Sequence, residues 1–191
     1  MWEALMTAIA AVALGEIGDK TQLLALILAA RFPHQAGAIL AGIVVATIAN
    51  HAAAVGIGAW GAQWITPELL RWVLGVSFLA LAAWALIPDR IDESDVKLAR
   101  NAFIATTVAF FIAEIGDKTQ VATVLLAARY SAFPIEVVVG TTLGMVIANA
   151  PVIWLGDKLL ARVPIRVVRI VAALVFFALG AAVLLFGLPD F

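Results

Sequence analysis

Two stretches of the chain carry acids and bases where the surrounding sequence is apolar enough to cross a membrane. Leu14 to Arg31 reads LGEIGDKTQLLALILAAR and Ile112 to Arg129 reads IAEIGDKTQVATVLLAAR, offset by 98 residues and identical at 11 of 18 positions. A centrally placed Asp or Lys costs roughly 2.5 to 3.5 kcal/mol in a bilayer, so Glu16, Asp19, Lys20, Glu114, Asp117 and Lys118 together cost on the order of 15 kcal/mol unless they pair, bind or face water. Gln22 and Gln120 follow the acids in each copy, and Asn50 and Asn149 recur at an offset of 99 inside a second pair of apolar segments. Such oxygen-only donors suit hard divalent cations such as calcium, manganese and magnesium, whereas zinc and copper favour Cys or several His.

Charge counting narrows the chemistry. Four carboxylates and two lysines leave a net charge of -2, which one divalent cation or two protons would neutralise. Acids clustered in a low dielectric cannot all stay ionised without a cation, so emptying the site should load protons. That is the logic of a cation/proton exchanger, with the cation as substrate and no cofactor required.

These side chains must be positioned by membrane helices. The 191-residue chain is 64% hydrophobic and 13% charged, with a mean hydropathy of +1.08; a soluble domain is about a quarter charged. The composition is that of an integral membrane protein. No cysteine is present, which excludes disulfides and thiolate metal sites, and no basic run is dense enough to suggest nucleic acid. Met1-Trp2-Glu3 offers no positive n-region, so the first apolar run is expected to be a membrane helix rather than a cleaved signal.

Six segments have spanning length: Leu5 to Ala30, Ala36 to Gln63, Leu69 to Ile87, Asn101 to Ala128, Ile135 to Leu155 and Arg166 to Gly187. Thr66-Pro67-Glu68 reads as an N-cap with proline at N1, and Pro88 as a stop. The hydrophilic stretch 88–100 reads as a solvated cytoplasmic loop joining two three-helix repeats, 1–87 and 101–191. Three helices per repeat is odd, so a second copy must enter from the opposite side. The expected fold is therefore all-α, six transmembrane helices arranged as two inverted repeats.

Loops one, three and five with their flanks hold eight basic residues (Arg31, Arg90, Lys97, Arg100, Lys158, Arg162, Arg166, Arg169), against Arg71 and Arg129 in loops two and four. The positive-inside rule puts the first set in the cytoplasm and both termini outside. Trp2, Trp60, Trp64, Trp72 and Trp84 sit near expected helix ends, as an aromatic belt requires, and Trp154 fits less tightly.

Within continuous helices, Glu16, Asp19 and Lys20 would share one face near the midplane, Gln22 would flank Asp19, Thr21 would turn away, and Lys20 would reach Glu16. Gly18 and Gly116 would weaken the helix or admit a neighbouring backbone beside the acids. Pro151 would free the carbonyl of Ile147 in the fifth helix. The third and sixth helices, with little polar beyond Ser77, read as packing and lipid-facing elements.

Other readings stand beside these. A Glu/Lys pair can simply neutralise itself between helices, but duplication at the midplane argues against that. The asparagines suit interhelical hydrogen bonds as well as ligation. His51, whose counterpart is Ala150, reads as a packing or pH-sensing group rather than a ligand. Arg31 and Arg129 read as snorkelling helix ends. An intramembrane aspartyl protease would also use two aspartates, but glutamates occupy the first glycine of its Gly-x-Gly-Asp signature, and adjacent lysines disturb a shared proton. Export of a small organic solute such as an amino acid is the remaining alternative.

Two copies of Glu-x-Gly-Asp-Lys-Thr in a six-helix chain resemble the Gdt-type family of manganese and calcium transporters, which includes bacterial manganese exporters and Golgi and plastid relatives. The resemblance covers essentially the whole chain, and Lys20-Thr21 and Lys118-Thr119 fit without departure. It implies a cation/proton antiporter that removes divalent cations from the cytoplasm, with Glu16, Asp19, Glu114 and Asp117 as the motif acids. The short central loop implies a bacterial plasma (inner) membrane. A homo-oligomer is compatible with the sequence.

Overall fold

A computed structural model describes residues 1–87, 100–155 and 164–187. The connecting segment expected at 88–100 lies almost wholly outside the described residues, as do Arg90, Lys97, Lys158 and Arg162 of the charge count. All regular structure among the described residues is helical: α1 Trp2–Glu16, α2 Lys20–Arg31, α3 Ala36–Ala62, α4 Pro67–Ala85, α5 Ala102–Glu114, α6 Lys118–Arg129, α7 Pro134–Leu155 and α8 Ile165–Phe186.

Four of these, α3, α4, α7 and α8, are each long and apolar enough to cross a membrane alone. Their ends follow local chemistry. Thr66 accepts from Leu69 N–H with Pro67 in the first turn of α4, and Asn101 caps α5 by accepting from Ile104 N–H at 3.2 Å.

The expected spans Leu5 to Ala30 and Asn101 to Ala128 are not continuous helices. Each breaks at the acidic motif. Ile17 is extended (φ -65°, ψ 117°), Gly18 has φ +81° and Asp19 is extended as the N-cap of α2. Ile115, Gly116 (φ +75°) and Asp117 repeat this before α6. A left-handed residue costs a side chain roughly 1–2 kcal/mol and a glycine almost nothing, which is why glycine stands at both breaks.

The substantial packing runs between the halves. α1 lies on α7 and α5 on α3, α3 also meets α6 and α7, and α4 packs along α8. Within either half the contact is slight, chiefly α2 with α3 and α6 with α7. Close approach depends on small residues. A Cβ on Gly140 would lie 2.7 Å from Leu5 O, and one on Gly144 would lie 2.9 Å from Ile9 O, the close approach that a Gly-x-x-x-Gly pair permits in a membrane. Gly42 of α3 meets Phe103 O of α5 in the same way, at 2.8 Å. The expected packing role of the third and sixth segments holds. Gly180 of α8 sits against Gly75 O of α4, and Arg71 donates to Leu184 O.

Large apolar side chains cover the outside, among them Ile57, Val76, Ile104, Val108, Leu174 and Phe177, while Glu16, Glu114, His51 and Asn149 are fully buried. Apolar outside and polar inside is the pattern of a multi-pass membrane protein. At the free end of α1, Tyr130 donates to Glu3 Oε1 at 2.9 Å, and Arg129 lies 3.8 Å from the same oxygen with its side chain only 10% exposed. Arg129 is therefore clasped against α1 instead of snorkelling, whereas Arg31 is exposed.

Candidate metal centre

Breaking both helices brings four helix ends to one place. The C-termini of α1 and α5 deliver Glu16 and Glu114, and the N-termini of α2 and α6 deliver Asp19 and Asp117. Neither aspartate caps its helix through its side chain. Oxygens of Glu16, Asp19 and Asp117 lie within 4.8 Å of one another, and all three residues are buried. Glu114 stands within electrostatic reach of Glu16 and Asp117. Glu16 Oε1, Glu114 Oε1 and Asp117 Oδ2 are buried without a hydrogen-bond partner among the described residues, a costly state unless something else satisfies them.

The break changes which neighbours serve the acids. Thr21 does not turn away: its hydroxyl donates to Glu16 Oε2, and Thr119 donates to Glu114 Oε2 at 3.2 Å. Lys20 does not reach back to Glu16. It crosses to the other half and pairs with Asp117 Oδ1 at 3.3 Å. Lys118 is 6% exposed, donates to Ile87 O at 2.8 Å and lies over the Trp84 ring.

The amides mostly hold the backbone in place. Gln22 Oε1 accepts from Gly18 N–H at 2.9 Å, and its Nε2 donates to Ala148 O at 2.8 Å. Gln120 Oε1 accepts from Gly116 N–H at 2.6 Å. Each glutamine thus closes the break four residues before it. The acceptor Ala148 O lies next to the Ile147 carbonyl expected to be freed by Pro151. Asn50 Nδ2 donates to Phe111 O at 3.0 Å, and Asn149 Nδ2 donates to Met145 O at 3.1 Å. Asn149 faces Glu16 and keeps Oδ1 without a partner among the described residues. A pocket lies beside Asp19, lined by Ile17, Gly18, Lys118, Thr119 and Arg169.

The two glycines invite a paired test. A Cβ at Gly18 would come 2.5 Å from Ile165 Cγ2, whereas one at Gly116 meets nothing within 4 Å. Gly116→Ala should therefore lose about 1 kcal/mol of stability through its backbone alone, and Gly18→Ala more. Adding Ile165→Ala should recover the excess. Equal losses in thermal unfolding of the two single variants would contradict the local geometry.

A multi-pass membrane protein with two interrupted helices enclosing a buried acid cluster is the architecture of a secondary transporter. The comparisons with known proteins agree. The family model described as "Divalent cation/proton antiporter GDT1" matches residues 4–93 and again 102–190, and the chain belongs to the GDT1 family. A Vibrio cholerae protein named "Putative manganese exporter" is 47% identical over 182 residues, covering 95% of this chain and 90% of that protein. GDT1-like protein 3 of Oryza sativa subsp. indica is 25% identical across 95% of this chain and 74% of its own length, and GDT1-like protein 3 of Arabidopsis thaliana is 25% identical across 95% and 70%. No solved structure gives a significant match. The chain is thus a cation transporter and not an enzyme, which removes the protease reading.

Proposed function

We propose that the protein exports divalent cations, Mn2+ and/or Ca2+, from the cytoplasm in exchange for protons, through one buried site that both halves build. Residues 1–87 and 101–191 form two inverted three-helix repeats, each with its first crossing split into two half-helices, joined on the cytoplasmic side by 88–100. Both termini lie outside, in a bacterial inner membrane. Glu16, Asp19, Glu114 and Asp117 bind the cation, with Asn149 Oδ1 as a neutral oxygen. Gln22, Gln120 and Asn50 hold the interrupted backbone, and Lys20 and Lys118 set the net charge at -2.

The observation that carries this reading is the approach of Glu16, Asp19 and Asp117 oxygens within 4.8 Å of one another, from both halves and away from water. Three carboxylates at that distance repel unless a cation or protons share them. An ion in the bilayer interior must also be electrically balanced. One divalent cation balances the site, and so do two protons; a site that alternates between these loads on opposite sides of the membrane is an antiporter. The double match of the family model supports the repeat, and the description of that family supports the proton coupling.

In sealed vesicles, an imposed pH gradient should drive Mn2+ or Ca2+ uphill, and adding the cation to purified protein should release protons. Protons and cations compete for the same carboxylates, so apparent cation affinity should fall as pH falls and recover as pH rises. Cation flux indifferent to the gradient, with no proton release, would mean a uniporter or channel.

A further inference from the structure

His51 follows Asn50 on α3, and the matching position of the second half is Ala150. Whatever His51 does is therefore done once, in a site otherwise built twice. Its side chain is fully buried, and neither Nδ1 nor Nε2 has a hydrogen-bond partner among the described residues. Packing alone does not account for a buried imidazole with both nitrogens unsatisfied. Nor is the ring set in an apolar patch, because Nε2 lies 3.9 Å from Glu114 Oε2.

That separation is too long for a hydrogen bond. It suits two ligands of one ion, since bonds of about 2.1 to 2.4 Å put adjacent ligand atoms ~3 Å apart and opposed ones ~4.5 Å apart. Glu114 is prepared for such a role. Thr119 fixes its Oε2 at 3.2 Å, and its Oε1 is buried without a partner among the described residues.

We infer that His51 supplies a nitrogen ligand on the Glu114 side of the site and thereby tilts it toward first-row divalent transition ions over calcium. The inference rests on the cation-transport reading above. Calcium draws its ligands from oxygen, whereas a transition ion gains from an imidazole nitrogen, so replacing one oxygen position by nitrogen penalises calcium selectively. The second half, with Ala150, adds no such preference.

The chain has two histidines, and the other, His34, is exposed after α2. Protein labelled with [15N]histidine and loaded with Mn2+ alone can be read by pulsed electron paramagnetic resonance. Wild type should show a histidine nitrogen coupled to the bound ion, and His51→Gln should lose it. In competition binding, His51→Gln should lower the Mn2+ over Ca2+ preference about tenfold, with Ca2+ affinity held. Mn2+ bound without nitrogen coupling in wild type would overturn the inference and leave the transporter intact, even if the variant fails to fold. So would coupling that survives in His51→Gln, or an unchanged preference. Wild type that binds neither ion would overturn the cation-site reading as well, and proton-coupled flux separates that failure from this one.

Discussion

Asp117→Asn is expected to abolish divalent-cation transport, by more than about a hundredfold, while the protein still inserts and purifies. Asp117 is 3% exposed and belongs to the acid cluster, and its Oδ1 also receives Lys20 at 3.3 Å. The amide keeps the shape and removes one charge. The site then falls from -2 to -1, so a bound divalent cation leaves an uncompensated positive charge in the bilayer interior, and Lys20 loses its carboxylate. Binding and charge balance fail together. Glu68→Gln, at the exposed start of α4, changes the net charge equally and should transport normally. Initial-rate uptake into vesicles compares the two, and normal rates in Asp117→Asn would sink the assignment of the site.

Gly144→Leu should have the largest effect on stability. A Cβ at Gly144 would sit 2.9 Å from both Ala13 N and Ile9 O. These are backbone atoms of α1, so no rotamer change relieves the contact and the helices must separate. Overpacking of this kind costs about 3 kcal/mol or more. The shift also displaces the end of α1, where Glu16 stands. Gly37→Leu, where an added Cβ meets nothing within 4 Å, is the matched control. Thermal unfolding in detergent should show a large drop for Gly144→Leu alone, and similar midpoints would mean that α1 does not rest on α7 at this point.

The site was legible in the sequence where side-chain type decided it, and illegible where backbone geometry did. The duplicated acids stand out because their cost in a bilayer is large, and the Thr66 cap because capping is local. Gly18 and Gly116 pointed to a weakened helix beside the acids but not to a full interruption, because a glycine inside an apolar run of spanning length costs a helix only about 1 kcal/mol and leaves the hydropathy signal whole. The overlooked signal was Gly-Asp-Lys-Thr-Gln itself: a glycine followed by aspartate, a good N-cap, and then helix formers. Assuming a continuous helix turned Thr21 from Glu16 and sent Lys20 to the wrong acid. The glycines at 140 and 144 carried a readable spacing. The clasp of Glu3 by Arg129 and Tyr130 had none, since Tyr130 and Glu3 lie 127 positions apart in the chain.

The exchange of contacts between halves bears on how the chain is made. Synthesis delivers α1 to α4 to the bilayer before α7, α5 and α8 exist, and those are the helices that α1, α3 and α4 pack against. Until they emerge, the first half has almost no interior, and Glu16, Asp19 and Lys20 have neither Asp117 nor Thr119 beside them. The nascent half must therefore wait in the insertion machinery, or partly in water, for its second copy to arrive. The acid cluster can close only once the second half has been made, and a chain truncated after α4 should be destroyed by quality control rather than persist as a half-transporter.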